Sequence, residues 1–177
     1  MRSTRRAFFS VSTLERFTGY FFDSDIKIAE RRGRKELEPH AAKSQKEKAF
    51  KGQLIVLIDG MSASAAEVFA RVVQLEKRGV VIGDRSSGSV MESKYYGREI
   101  GVVNALGFGV SVTHADVIMG DGKSLEHVGV TPDQLLLPTG QDMSQGLDPV
   151  LVHAASLVGV KLDPKKAGEL FPVEWKH

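Results

Sequence analysis

Leu54-Ile55-Val56-Leu57-Ile58-Asp59-Gly60-Met61-Ser62-Ala63-Ser64-Ala65-Ala66-Glu67, followed after a helical stretch by Val80-Val81-Ile82-Gly83, carries the strongest structural signal in the chain. The first five residues are wholly apolar, and Gly52 and Asp59-Gly60 bound them. That pattern predicts a short strand buried on both faces. A helix is predicted from about Ser62 to Lys77, with Ala65, Val68, Phe69, Val72 and Leu75 as its apolar stripe. Gly79 is placed to terminate it, and Val80–Gly83 reads as a second buried strand. Strand, turn, helix and strand make a βαβ crossover over residues 53–83, so the two strands are expected to be parallel and the fold class α/β.

Towards the N-terminus, Leu14, Phe17 and Phe21 recur at helical spacing and predict an amphipathic helix with an aromatic end. Asp23 to Lys51 is polar, with a short strand expected near Ile26–Ile28 before an exposed connection. Lys94–Ile100 and Gly107–Thr113 read as paired strands, continued by Ala115–Met119 up to the turn Gly120-Asp121-Gly122. Asp148-Pro149 opens a last helix as N-cap and first-turn proline, and Gly159 closes it. The division expected is an N-terminal helix and basic connection over 1–52, then a core over 53–177.

Composition narrows the function classes. The chain has 177 residues, 26% of them charged, and no cysteine, which excludes disulfides, thiolate metal sites and a cysteine nucleophile. No apolar run approaches the roughly 18 residues that span a bilayer, so no integral membrane segment is expected. The net charge of +2 is unevenly spread: residues 1–50 carry 12 Lys/Arg against 7 Asp/Glu. No aromatic stands between Phe22 and Phe50 to stack on bases, so the basic excess reads as a solvated surface and nucleic acid is not an expected partner. Thr4-Arg5-Arg6-Ala7-Phe8-Phe9 looks like the start of a twin-arginine export signal. Glu15 and Arg16 interrupt the apolar stretch such a signal needs, so no complete signal is read and the compartment stays open.

The chemistry concentrates in Ser62-Ala63-Ser64-Ala65-Ala66-Glu67. A sharp strand-to-helix turn lifts a serine hydroxyl out of the sheet. The first helical turn offers unpaired N–H groups to a developing oxyanion, and the helix dipole favours negative charge there by up to about 1 kcal/mol. Local chemistry alone leaves a plainer reading open, in which Ser62 simply caps the helix.

A longer match weighs against that plainer reading. From Leu54 to Pro138 the sequence resembles the tail-specific (C-terminal processing) serine proteases, a group that includes the core of the tricorn protease. Three ordered elements carry the likeness: Ser62-Ala63-Ser64-Ala65-Ala66-Glu67, Val81-Ile82-Gly83-Asp84-Arg85-Ser86, and Gly129-Val130-Thr131-Pro132-Asp133. The resemblance implies a ββα core shared with caseinolytic-protease and crotonase enzymes. It also implies Ser64 as the nucleophile at a cleft mouth, the Ala65 N–H in the oxyanion hole, a peptide or unfolded-protein substrate, no cofactor, and a possible homo-oligomer. Family members are often exported.

The departures are as informative as the match. The Ser–Lys branch carries its lysine where this chain has Ser89, and a hydroxyl does not replace an amine as a general base near neutral pH. Lys94 lies five residues on, in a predicted strand, and is not expected within hydrogen-bond reach of Ser64. In the tricorn-like Ser–His–Ser–Glu branch, Glu126 before Gly129-Val130 matches the acidic member, whose role would be to orient a polar group beside the histidine. A solvated turn carboxylate is the alternative.

That branch takes its histidine from upstream, and none of the five histidines here has a comparable setting. His127 adjoins Glu126, but neighbours on an extended segment point to opposite sides. His114 and Asp116 share a face if Val112–Ile118 is extended, as a surface pair. No His/Asp/Glu spacing suggests a metal site. The family's Leu-Arg-x-Asn-x-Gly-Gly segment, which supplies an oxyanion glycine, has no match at Arg5–Ser12. The expectation is a domain truncated at its N-terminus, with little or no peptidase activity by itself. A peptide-binding or oligomerisation module on the same fold is the alternative. A crotonase-type acyl-thioester enzyme is a weaker one, against which the serine-bearing helix start argues.

Overall fold

The computed structural model describes residues 11–101 and 106–171. The twin-arginine-like start and most of the unmatched Arg5–Ser12 segment lie outside the described residues. The chain runs α1 (Val11–Thr18), β1 (Ile26–Arg32), β2 (Leu37–Ala42), β3 (Ile55–Ile58), α2 (Ala65–Leu75) and β4 (Val80–Gly83). It continues through β5 (Glu92–Ile100), β6 (Leu106–Met119), β7 (Gln134–Leu135), α3 (Gly140–Gln145), α4 (Pro149–Leu157) and α5 (Pro164–Leu170). The fold is mixed α/β, with one antiparallel sheet ordered β2-β1-β6-β5 and one smaller sheet ordered β3-β4-β7.

The crossover is present. β3 and β4 are parallel, with Ile55 opposite Val80 and Ile58 opposite Gly83, and α2 lies between them in sequence. β7 adds a third parallel strand beyond β4. Asp133 secures that addition. Its carboxylate accepts the Val81 N–H (2.8 Å) and the Gln74 side-chain amide (2.9 Å), while its own N–H donates to Val81 O (2.8 Å). The aspartate of Gly129-Val130-Thr131-Pro132-Asp133 is therefore a sheet-closing residue.

One core joins the two sheets. Val68, Val72 and Val73 of α2 pack with Val81 of β4, Ile28 and Ala29 of β1, and Met119 of β6. Each fully buried side chain of this kind contributes about 1.5–3 kcal/mol. Phe17 and Phe21 set their rings 5.0 and 5.3 Å from Phe69, which docks α1 and the segment after it onto α2.

Four expectations need correction. β3 is not buried on both faces: it is the outer strand of its sheet, Ile55 and Val56 are half-buried, and Leu57 is 40% exposed. Gly79 does not end α2. Lys77 takes the left-handed position (φ +52), and Gly79 is needed because a Cβ there would stand 2.3 Å from Leu54 O. The polar stretch after Asp23 holds a full hairpin, β1 against β2, because β1 finds a second partner in β6. Residues 106–119 form a single strand of 14 residues whose first part pairs only with β5.

Candidate active site

The turn after β3 is built by Asp59. Its carboxylate accepts the Met61 N–H (2.9 Å) and the Ser62 hydroxyl (3.0 Å), and Ser62 N–H closes onto Asp59 O (2.9 Å). Ser62 is thereby committed to the turn and half-buried. The N-cap of α2 is Ser64, not Ser62. Ser64 is exposed and held at φ +56, ψ −120, a region in which a non-glycine residue stores about 1–3 kcal/mol of strain. Next to it, the Ala65 N–H has no acceptor among the described residues. An exposed hydroxyl thus stands beside a free donor at the start of a helix, where the dipole favours negative charge.

The strain at Ser64 is supported from below by Glu67, which is fully buried. One carboxylate oxygen accepts the N–H groups of Ser64 (2.9 Å) and Ser89 (3.0 Å). The other accepts the Ser86 hydroxyl (2.6 Å) and the Gly88 N–H (2.7 Å). A single carboxylate therefore binds the helix start to the loop after β4. The Ser64 N–H also reaches Ser89 O (2.9 Å), so Ser89 adjoins Ser64.

The 126–130 segment closes the arrangement. The Ser86 hydroxyl accepts the Val130 N–H (2.6 Å), and His127 N–H donates to Gly88 O (2.8 Å). Gly129 (φ +70) is required here, since a Cβ would stand 2.5 Å from Ser86 O. One oxygen of Glu126 accepts the N–H groups of Val90 (2.7 Å) and Met91 (3.0 Å). Glu126 therefore lies at the loop that carries Ser89, where it holds backbone.

Other residues singled out from the sequence fall elsewhere. Lys94 is exposed on β5 with its ammonium 5.7 Å from the centre of the Tyr96 ring, and no hydrogen bond joins it to Ser64. His127 Nε2 lies 3.8 Å from Glu126 Oε1, with the histidine side chain 91% exposed. The segment is turned rather than extended (His127 φ +58), so the opposite-sides argument does not apply to it. His114 is the extra residue of a bulge in β6, between the partners of Glu92 and Ser93. Asp116 receives the Ser124 hydroxyl (2.7 Å) and makes no hydrogen bond to His114. The one sequence signal for the buried hub at Glu67 is Ser64-x-x-Glu67, the spacing of a capping box.

The pattern of peptidase family S41 matches residues 10–136, well over half of the chain. The chain belongs to that family. Among solved structures, this S41 chain is similar to a candidate peptidase from Parabacteroides merdae (22% identity, TM-score 0.66), covering 84% of this chain and 48% of that one. It is similar to the photosystem II D1 C-terminal processing protease (21% identity, TM-score 0.58), covering 88% of this chain and 36% of the other. It is also similar to the tricorn protease (20% identity, TM-score 0.54), covering 76% of this chain and 12% of that one. At these identities the likeness is one of fold, and the S41 chain spans less than half the length of each. Among the described residues no helix is long and apolar enough to cross a membrane.

Proposed function

We propose that this S41 chain is a serine-type peptidase domain of the tail-specific, tricorn-core kind, in which Ser64 attacks the scissile carbonyl and forms an acyl-enzyme. The observation that carries the reading is the exposed, strained Ser64 beside the unpaired Ala65 N–H. The substrate class is a peptide or unfolded protein, in keeping with the D1 protease, which is named for processing a C-terminus. Attack converts the carbonyl oxygen to an oxyanion, and the Ala65 N–H would donate to it. Glu126 supports the site by holding residues 90 and 91 beside Ser89. The parallel unit of β3, α2 and β4 would belong to a ββα core of the caseinolytic-protease and crotonase type. On this reading residues 53–177 hold the catalytic core and residues 1–52 its upstream part.

On the same reading the described residues lack a general base for Ser64. A serine hydroxyl needs a base to take its proton. Among the described residues no lysine or histidine is hydrogen-bonded to Ser64, and residue 89 is serine. Little or no cleavage by the chain alone is therefore expected.

The test is labelling by a fluorophosphonate probe, with cleavage of an unstructured protein read in parallel. The unaltered chain should label poorly. Ser89→Lys, which places an amine next to Ser64 at an exposed position, should raise labelling, and Ser64→Ala should abolish the gain. Efficient Ser64-dependent cleavage by the unaltered chain would show that a base is present. No labelling in any variant, with folding intact, would remove Ser64 as the nucleophile and favour a binding module.

A further inference from the structure

The tip of the β1–β2 hairpin and the face of β5 enclose a cleft of about 360 Å³ lined by Arg31, Arg34, Lys35, Glu36, Lys94, Tyr96 and His114. We propose that this cleft binds an acidic segment of a polypeptide, with its carboxylates on Arg34, Lys35 and Lys94. Most of the local charge is accounted for, and those three cations are what remains. Arg31 is paired with Glu38 and lies 3.6 Å from Glu92. Arg34, Lys35 and Lys94 have no ion pair among the described residues, against Glu36 as the single carboxylate lining the cleft. The Gly33 N–H bonds Glu36 O across the turn, which leaves Arg34 and Lys35 at its tip. The bulge in β6 falls at His114, another lining residue.

The cations stand on two separate elements, a hairpin tip and a strand. That arrangement suits several carboxylates spaced along a chain rather than one compact oxyanion. Tyr96 supplies a wall, with Lys94 over its ring. The sequence alone shows no aromatic within the basic stretch; the fold brings Tyr96 to it from more than 60 residues away.

The cleft is also within reach of Ser64. Ser89 is hydrogen-bonded to Ser64, and Lys94 is five residues further on, so Lys94 lies no more than roughly 18 Å from Ser89 along the chain. A handful of extended residues would bridge that distance. The role as a substrate-holding site rests on the peptidase reading, but the binding itself does not.

The test is fluorescence anisotropy on the whole chain with a labelled peptide alternating Glu and Gly, against its Gln–Gly counterpart. At about 50 mM salt the acidic peptide should bind about tenfold more tightly, and the difference should shrink several-fold by about 0.5 M, where charges are screened beyond a few ångströms. The triple variant Arg34→Gln, Lys35→Gln, Lys94→Gln should lose the discrimination while keeping its melting temperature, since all three side chains are exposed. Equal binding of the two peptides would overturn the proposal. So would full displacement by millimolar pyrophosphate, which would mark a small-anion site instead. Acidic-peptide binding without any Ser64 labelling would remove the peptidase reading alone. Labelling at Ser64 in the Ser89→Lys chain without acidic-peptide binding would remove this inference alone.

Discussion

Replacing Glu67 by Gln keeps the shape of the side chain and removes its charge, which tests whether one buried carboxylate holds the site together. Glu67 accepts four hydrogen bonds, from Ser64, Ser86, Gly88 and Ser89. A glutamine retains one oxygen and so two of the four. Turned one way, its amide group faces the N–H groups of Ser64 and Ser89; turned the other, it faces the Gly88 N–H and the Ser86 hydroxyl, which can rotate to accept from it. Two charge-assisted bonds are lost, and since the Ser64 N–H keeps Ser89 O, at least one backbone donor, Ser89 or Gly88, is left without its partner at about 1–3 kcal/mol. Part of that is recovered because the exposed Ser64 and Ser89 admit water, which places the expected loss at about 2–4 kcal/mol. With a urea slope of about 1–3 kcal/mol per molar, the midpoint should fall by roughly 1–3 M. The loop should loosen as well, seen as faster amide exchange at Gly88 and Ser89 with the α2 interior still protected. A midpoint within about 0.3 M of the unaltered chain, with unchanged exchange at those two amides, would refute the argument that Glu67 carries this junction.

Ser64→Gly should stabilise the chain by about 1 kcal/mol, because glycine adopts φ +56 without the strain serine bears there, while any labelling at residue 64 disappears. Thermal denaturation reads it, and a lowered midpoint would show that the serine hydroxyl contributes more than its backbone costs. Asp121 links the turn after β6 to α2 through Arg71 (2.6 Å). Burial pushes its carboxyl up, but the Arg71 guanidinium and backbone N–H groups outweigh this and leave it below the usual carboxylate range. A lowered folded value gives stability that is present above the unfolded pKa of about 3.9 and is lost as pH falls through the folded value. Asp121→Asn should therefore cost less than about 1 kcal/mol at neutral pH, after solvent screening, and nothing in strong acid. A cost that persists at low pH would show that packing, not charge, makes the contribution.

The crossover was legible because its residues are extreme: a run of apolar side chains, a helix start of small residues, and a second apolar run. The hairpin of β1 and β2 was not, because Leu37-Glu38-Pro39-His40 carries little alternation and is mostly exposed. β1 is fixed by its pairing with β6, some 90 residues away, which local pattern does not reveal. The site divides in the same way. The neighbours of Ser64 alone leave Ser62 open as a plain helix cap, the longer resemblance over residues 54–138 points to Ser64, and the bond network beneath Ser64 depends on three segments meeting.

That meeting gives the three matched sequence elements a common physical meaning. Glu67 belongs to the first, Ser86 to the second and Gly129 to the third, and they converge within one connected set of hydrogen bonds and close contacts. Glu67 receives the Ser86 hydroxyl, Ser86 receives the Val130 N–H, and Gly129 lets that turn approach Ser86 closely enough for the bond to form. None of these residues is an acid, base or nucleophile in the proposed reaction. They hold Ser64 in a conformation it would not adopt unaided. On the proposed reading the three elements supply the support of a strained serine, and the proton acceptor is a separate requirement that this support does not meet.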